Sequence, residues 1–250
     1  MIKIFVLNLK RSPERRKLIQ SQMEKFGLKF EFIDAVDGNE LTEEQLSRVD
    51  KFKSSLRLGR KIIDNEVGCA LSHSNTYKKI IDERITDAII LEDDCILTEQ
   101  FADFIKKKIF KKIDKDFIFL FSSHVFYKSK SKFSKDITLY EPYINPAGAV
   151  AYYINNKMAK QLYNHTKVIE YVADYPILLS NLGNVSVIKP NIITTGEFES
   201  TIIRGNKFKS WLWYQIRSKL FIEYIFNKKK YNNLYEYVNA IYFKKNKYKD

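Results

Sequence analysis

Three consecutive carboxylates, Glu92, Asp93 and Asp94, interrupt an oily run in "AIILEDDCIL", from Ala88 to Leu97. Like charges so close together repel one another. At the end of a buried strand they cannot all be well solvated, so something positive belongs beside them. Hard divalent cations prefer oxygen ligands, and a magnesium-like ion takes one or two protein carboxylates while phosphates complete its shell. Alternate residues of an extended segment point the same way, so Glu92 and Asp94 can share a pocket while Asp93 turns to a different neighbour. The spacing suits a metal-diphosphate site. Taken alone, an acidic triplet is more simply a solvated turn closing a strand.

Two further groups have chemical character. In "NEVGCALSH", Asn65 to His73, the residues Glu66, Cys69 and His73 fall at spacings of three and four, which on a helix makes a stripe beside the core face. Ser72 is turned away from that stripe and is placed to brace a neighbouring loop. Arg11, Arg15 and Arg16 follow the first apolar run, and guanidinium groups suit phosphate and base recognition. The bland alternatives are a structural histidine and a solvated helix face balanced by Glu14.

The elements that must carry these residues are readable from periodicity. Ile2 to Leu9 predicts a buried strand, and Ser12 and Pro13 predict a helix start, ending near Gly27. The stretch "KFEFIDAV" reads as a second strand, followed by an acidic helix from about Thr42. Asn65 predicts the cap of a helix from Glu66 to about Arg84, with Val67, Ala70, Leu71, Ser74, Tyr77 and Ile81 on one side. The strand "DAIILED", a lysine-rich helix from about Gln100 and the strand "FIFLFSS" come next. The segment "KSKSKFSKD" reads as an exposed polar loop and "GAVAYYI" as a strand, followed by helices from Asn155 to about Asn164 and near Tyr175 to Asn181. Strands alternating with helices indicate an α/β domain around a mostly parallel central sheet, whose ligands gather at the carboxyl ends of the strands. Glu92 to Asp94 sit at such an end.

Composition bounds the rest. The 250 residues can bury a substantial core, and the apolar fraction of 45% is that of an ordinary globular protein. The net charge is +13, of which +9 falls between Arg204 and Asp250, with twelve Lys and Arg against three Asp and Glu. This shift sets the expected division: a catalytic domain over 1–204 and a basic, aromatic, helical tail over 205–250. In the tail Tyr231, Leu234, Tyr235, Val238, Ile241 and Tyr242 follow helical spacing between lysine clusters. Such a helix either lies on an anionic membrane surface or packs on the domain with its lysines solvated. The excess positive charge and the aromatics among the tail lysines make a basic nucleic-acid-binding protein the competing class; against it, and against a nucleic-acid partner, the charge lies outside the α/β core and no nucleic-acid motif occurs. Cys69 and Cys95 are too few for a disulfide scaffold and read as buried thiols. With no signal sequence or clean spanning segment recognised, the expected location is cytoplasmic, peripheral on the inner face of the inner membrane where the tail touches lipid.

The pieces "LNLKRSPERR", "FIDAVDG", "EVGCALSH", "ILEDD" and, more loosely, "PAGAVAYYINNKMAKQL" and "ADYPI" occur in that order over roughly the first 180 residues. The ordered set strongly resembles glycosyltransferase family 25, whose bacterial members are lipooligosaccharide galactosyl- and glucosyltransferases, with relatives that glycosylate collagen. The resemblance implies a GT-A-like, Rossmann-type domain and a UDP-sugar donor. It also implies transfer with inversion to a lipooligosaccharide or other oligosaccharide acceptor, supported by Mn2+ or Mg2+. UDP-galactose is the first-choice donor and UDP-glucose the nearest competitor. The triplet then resembles the family's metal motif, with Asp94 as direct ligand and Glu92 or Asp93 assisting through water or a donor hydroxyl. Arg11 ahead of Arg15, and Glu66, Ser72 and His73, become donor-binding candidates. Inverting transfer needs a carboxylate base opposite the departing UDP. Asp174 in "ADYPI" is the candidate and Glu170 the reserve, the alternative for Asp174 being a helix cap ahead of Pro176.

Overall fold

The computed structural model of the chain describes residues 2–58, 60–196 and 247–249. β1 (Lys3–Asn8) leads through Pro13 into α1 (Pro13–Lys25), and Gly27, at φ +61°, ends the turn in the left-handed region that glycine adopts without cost. β2 (Glu31–Asp34), α2 (Glu43–Ser47, with a Thr42/Gln45 capping box), α3 (Lys51–Leu58) and α4 (Asp64–Asp82) follow. The cap of α4 falls at Ile63, so the helix starts slightly before the expected Asn65 cap. β3 (Asp87–Glu92), β4 (Cys95–Leu97), α5 (Glu99–Lys106), α6 (Ile109–Ile113) and β5 (Phe117–Phe119) complete the first half. The second half runs β6 (His124–Lys132), β7 (Thr138–Pro142), β8 (Ala151–Asn155), α7 (Asn156–Thr166), β9 (Val185–Lys189), β10 (Ile193–Thr195) and β11 (Lys247–Lys249).

The large sheet has the order β11-β6-β7-β9-β5-β8-β3-β1-β2. β1, β2, β3, β5, β6 and β9 run in one direction; β7, β8 and β11 run against it. By strand direction the sheet is therefore mostly parallel, as expected. β8 stands antiparallel between β3 and β5, which periodicity does not reveal. β4 and β10 form a separate two-stranded ribbon.

Both faces of the sheet are covered, which accounts for the near-continuous apolar strands. Ile4 and Val6 of β1 point into one layer with Ile19 and Met23 of α1 and Phe101 and Phe104 of α5. Phe5 and Leu7 point into the other with Tyr77 and Ile80 of α4 and Met158 and Leu162 of α7. Of the residues expected on the core side of α4, Val67, Ala70, Leu71, Ser74 and Tyr77 are buried, whereas Ile80 takes the place expected for Ile81.

Two expectations are corrected. The exposed polar loop at 128–136 is mostly strand: Lys128 to Lys132 belong to β6, paired with β7 through Ser131↔Leu139 and Lys132↔Thr138, and only the tip is a turn. The outer end of β6, Ser129 to Lys132, is exposed residue after residue, so the sequence there has no alternation to report it. The helix expected near Tyr175 to Asn181 shrinks to one 3-10 turn, Leu179–Asn181. Tyr175 holds φ +70°, a left-handed conformation from which a helix cannot continue, and Asn145 satisfies the backbone at Ile177 O and Leu179 N in its place. The expected tail helices and the boundary near 204 lie outside the described residues.

Candidate active site

β1 and β3 lie side by side in parallel register, Leu7 opposite Glu92, so the end of β1 meets the acidic turn. Asn8, 1% exposed, donates from Nδ2 to Asp93 Oδ2 at 2.7 Å and to Ser12 O at 3.2 Å. From the first turn of α1, Arg15 donates to the other oxygen of Asp93 at 3.2 Å. One carboxylate of the triplet is thus held by a neutral amide donor and by the guanidinium of Arg15, the positive partner that the sequence demanded. Arg16 lies over the Phe32 ring, 3.8 Å from its centroid, and so works partly as packing.

Glu92 turns the opposite way, toward α4. Its Oε1 lies 3.3 Å from His73 Nε2 and 4.0 Å from Cys69 Sγ. His73 Nδ1 meets the Tyr152 hydroxyl at 2.7 Å, and that hydroxyl meets Tyr77 Oη at 2.9 Å. A polar chain therefore runs from the acidic turn into the core through Glu92, His73, Tyr152 and Tyr77.

Asp94 has no such support. Its Oδ1 is buried without a hydrogen-bond partner, one of few such side-chain atoms among the described residues. Burial, followed by the charges of Glu92 and Asp93, pushes its carboxyl up to about 6, against only a partial offset from Arg15. Asp94 O accepts from Gly196 N at 2.9 Å, which ties the turn to the end of β10. A buried carboxylate oxygen with no donor, beside two further carboxylates, is a site to which a small hard cation is suited.

The other expected residues divide between site and scaffold. Arg11 is paired with Asp37, Nε to Oδ2 at 2.5 Å, and holds that carboxyl below its ordinary range. Arg15, not Arg11, is the arginine that reaches the triplet. Glu66 is 1% exposed and receives both guanidinium nitrogens of Arg60, at 2.7 and 2.5 Å. Ser72 Oγ accepts from Val36 N at 2.8 Å and donates to Gly68 O at 2.7 Å, so it braces the loop after β2. The same seam requires two glycines: a Cβ on Gly68 would meet Val36 O at 2.5 Å, and one on Gly38 would meet Asn65 backbone atoms at 2.5 Å. This contact ties "FIDAVDG" to "EVGCALSH".

Asp174 does not cap an α-helix, since the described residues next to it lead only to the 3-10 turn Leu179–Asn181. Burial raises the Cys69 thiol, and the next contributions come from Glu92, Asp174, Asp94 and Glu66, which puts Asp174 within electrostatic reach of the same centre. Glu170 is engaged by Lys53 at 2.7 Å and Arg57 at 3.5 Å. Asn8, Tyr152 and Arg60 are the residues that sequence reasoning missed. Only Asn8 left a signal, an amide inside the apolar run "FVLNL".

An acidic turn at the carboxyl end of a central strand, in a sheet covered on both faces, stands where α/β folds bind their ligands. The profile of glycosyltransferase family 25 (LPS biosynthesis protein) matches residues 1–177, and the chain belongs to that family. A lipooligosaccharide biosynthesis protein, lic2B of Haemophilus influenzae, is 28% identical over 193 residues, covering 73% of this chain and 71% of the relative. A glycosyltransferase 25 family member of Drosophila melanogaster is 35% identical over 96 residues, covering 37% of this chain and 16% of the relative. Human procollagen galactosyltransferase 2 is 31% identical over 120 residues, covering 44% and 18%. The chain thus spans less than a fifth of the length of these two animal relatives. A solved glycosyltransferase involved in the glycosylation of the major capsid of PBCV-1 aligns over 65% of each chain, at 11% identity and a TM-score of 0.33, too slight a likeness to inform fold or reaction.

Proposed function

We propose that the protein transfers a hexose, galactose in the first instance, from a UDP-sugar to a lipooligosaccharide acceptor, inverting the anomeric carbon with the help of Mn2+ or Mg2+. The observation that carries this reading is the unpaired, buried Oδ1 of Asp94 at the carboxyl end of β3. The oxygen-rich turn fits a hard cation, with Asp94 as direct ligand and Glu92 as the second carboxylate available to it. Such an ion would supply Lewis-acid stabilisation to the departing diphosphate.

The chain's own residues do the rest. Asn8 and Arg15 fix Asp93 and thereby the turn, and a guanidinium at this strand end is a group suited to phosphate recognition. His73 orients Glu92. Asp174 is the carboxylate assigned to take the acceptor proton, on its electrostatic proximity to the same centre, with Glu170 as the reserve. Galactose as donor sugar rests on the kinship with procollagen galactosyltransferases and the acceptor class on kinship with the Haemophilus protein, while a β-linked product follows from inverting an α-linked UDP-sugar. UDP-glucose is the competing donor. The basic tail would bring the enzyme to the anionic inner face of the membrane; among the described residues no helix is long and apolar enough to cross one.

Incubation with Mn2+ and a panel of UDP-sugars, followed by measurement of released UDP, tests the proposal. Release that is metal-dependent and greatest with UDP-galactose is expected. Release greatest with UDP-glucose would replace the donor, and no release with any UDP-sugar would overturn the reading.

A further inference from the structure

We propose that Cys69, His73 and Glu92 form a binding site for a thiophilic divalent cation, Zn2+, which competes with the oxygen site at Asp94 for their shared residue Glu92. Cys69 Sγ, His73 Nε2 and Glu92 Oε1 all lie within 4.8 Å of one another. A tetrahedral zinc ion, with bonds of about 2.3 Å to sulfur and about 2.0–2.1 Å to nitrogen and oxygen, sets its ligand atoms about 3.3–3.5 Å apart. The Nε2 to Oε1 separation is already 3.3 Å, and the Sγ to Oε1 separation of 4.0 Å needs only a small side-chain adjustment. Cys69 and His73 stand four residues apart on one side of α4, so the helix fixes two of the three ligands.

The surroundings supply what a histidine ligand requires. Tyr152 Oη, 2.7 Å from Nδ1, both donates and accepts, and it continues to Tyr77 Oη. When Nε2 carries the proton toward Glu92, Tyr152 donates to Nδ1. When Nε2 must offer its lone pair to a metal, Nδ1 carries the proton and donates to Tyr152, which in turn donates to Tyr77. The ring can therefore change tautomer without leaving a buried nitrogen unpaired, the kind of outer support that metal-bound histidines need. Ligand softness separates the two sites: thiolate and imidazole suit Zn2+, and an all-oxygen set suits Mn2+ or Mg2+. Occupation would hold Glu92 on α4, where it already lies, and deny it to a cation at Asp94, so zinc at this site acts as an inhibitor of any reaction that uses both carboxylates.

Binding is read on the full chain without donor or acceptor, so the result stands apart from the proposed transfer reaction. Titration with Co2+ as a spectroscopic stand-in should give a thiolate-to-metal charge-transfer band, displaced by Zn2+. The band should vanish in Cys69→Ala and in the isosteric Cys69→Ser, each verified as folded by circular dichroism, and persist in Cys95→Ala and Asp94→Asn. Tyr152→Phe should weaken Zn2+ by about 10- to 100-fold. A wild-type protein with no charge-transfer band at saturating Co2+, a band that survives loss of the Cys69 thiol, or one lost in Asp94→Asn would each overturn the proposal.

Discussion

The isolated carboxylate of Asp94 should make the metal-free protein lose stability as pH rises. Its folded-state pKa of about 6 stands above the ordinary value of 3.8, so the native chain holds this proton through a range in which the unfolded chain has released it. The stability that the proton confers is complete below about pH 4 and lost as pH climbs through about 6. Two pKa units at 1.36 kcal/mol each give roughly 3 kcal/mol, and partial solvent access reduces this to about 2–3 kcal/mol. Asp94→Asn removes the charge and keeps the shape. Relative to wild type it should be neutral or slightly destabilised near pH 4, and gain about 2–3 kcal/mol on going to pH 7.5, or roughly 4–12 °C in Tm for a chain of this size. The fixed cost of burying the amide is the same at every pH and does not enter the difference. Denaturant unfolding of both proteins in EDTA, across that range, is the assay. Two stability curves that stay parallel in pH would refute the account of Asp94 as an uncompensated buried acid.

Other substitutions probe the supports of the site. Asn8→Ala removes a 2.7 Å hydrogen bond to a buried carboxylate and should cost about 1.5–3 kcal/mol, read by chemical denaturation, with a loss of turnover that Mn2+ does not restore. Gly68→Ala forces a methyl against Val36 O, so α4 and the loop after β2 must separate; more than about 2 kcal/mol of destabilisation is expected, and a neutral result would mean that the seam is not tight. Deleting the residues after Gly205 should reduce co-sedimentation with anionic liposomes more than turnover on a soluble acceptor, and unchanged liposome association would remove the membrane role of the tail.

How much of this was legible in the sequence depends on the range of each interaction. β1, α1, α4, β3 and α7 carry local signals: an apolar run, a Pro13 start, helical spacing and an Asn155 cap that accepts from Met158 N. The β6–β7 hairpin carries none at its solvated end, and the reversed β8 is fixed by its neighbours β3 and β5, not by its own residues. The triplet and the Glu66-Cys69-His73 stripe were visible because their spacings are short. Their partners were not: Asp93 is claimed by Asn8, eighty-five residues earlier, and His73 by Tyr152, seventy-nine later. Arg11 is nearest the end of β1 in sequence, yet the turn into α1 sends it to Asp37 and brings Arg15 round to Asp93. Ser72 likewise closes a seam between two motifs that are remote in sequence.

The central claim is that a divalent cation held through Asp94 joins the protein to a nucleoside diphosphate. Calorimetric titration of UDP into the protein, with and without Mn2+, tests it most directly in wild type and in Asp94→Asn. Mn2+ should tighten UDP binding at least about 10-fold in wild type, worth about 1.4 kcal/mol, and leave the variant unchanged. Equal UDP affinity in all four titrations, or the same metal response in both proteins, would contradict it.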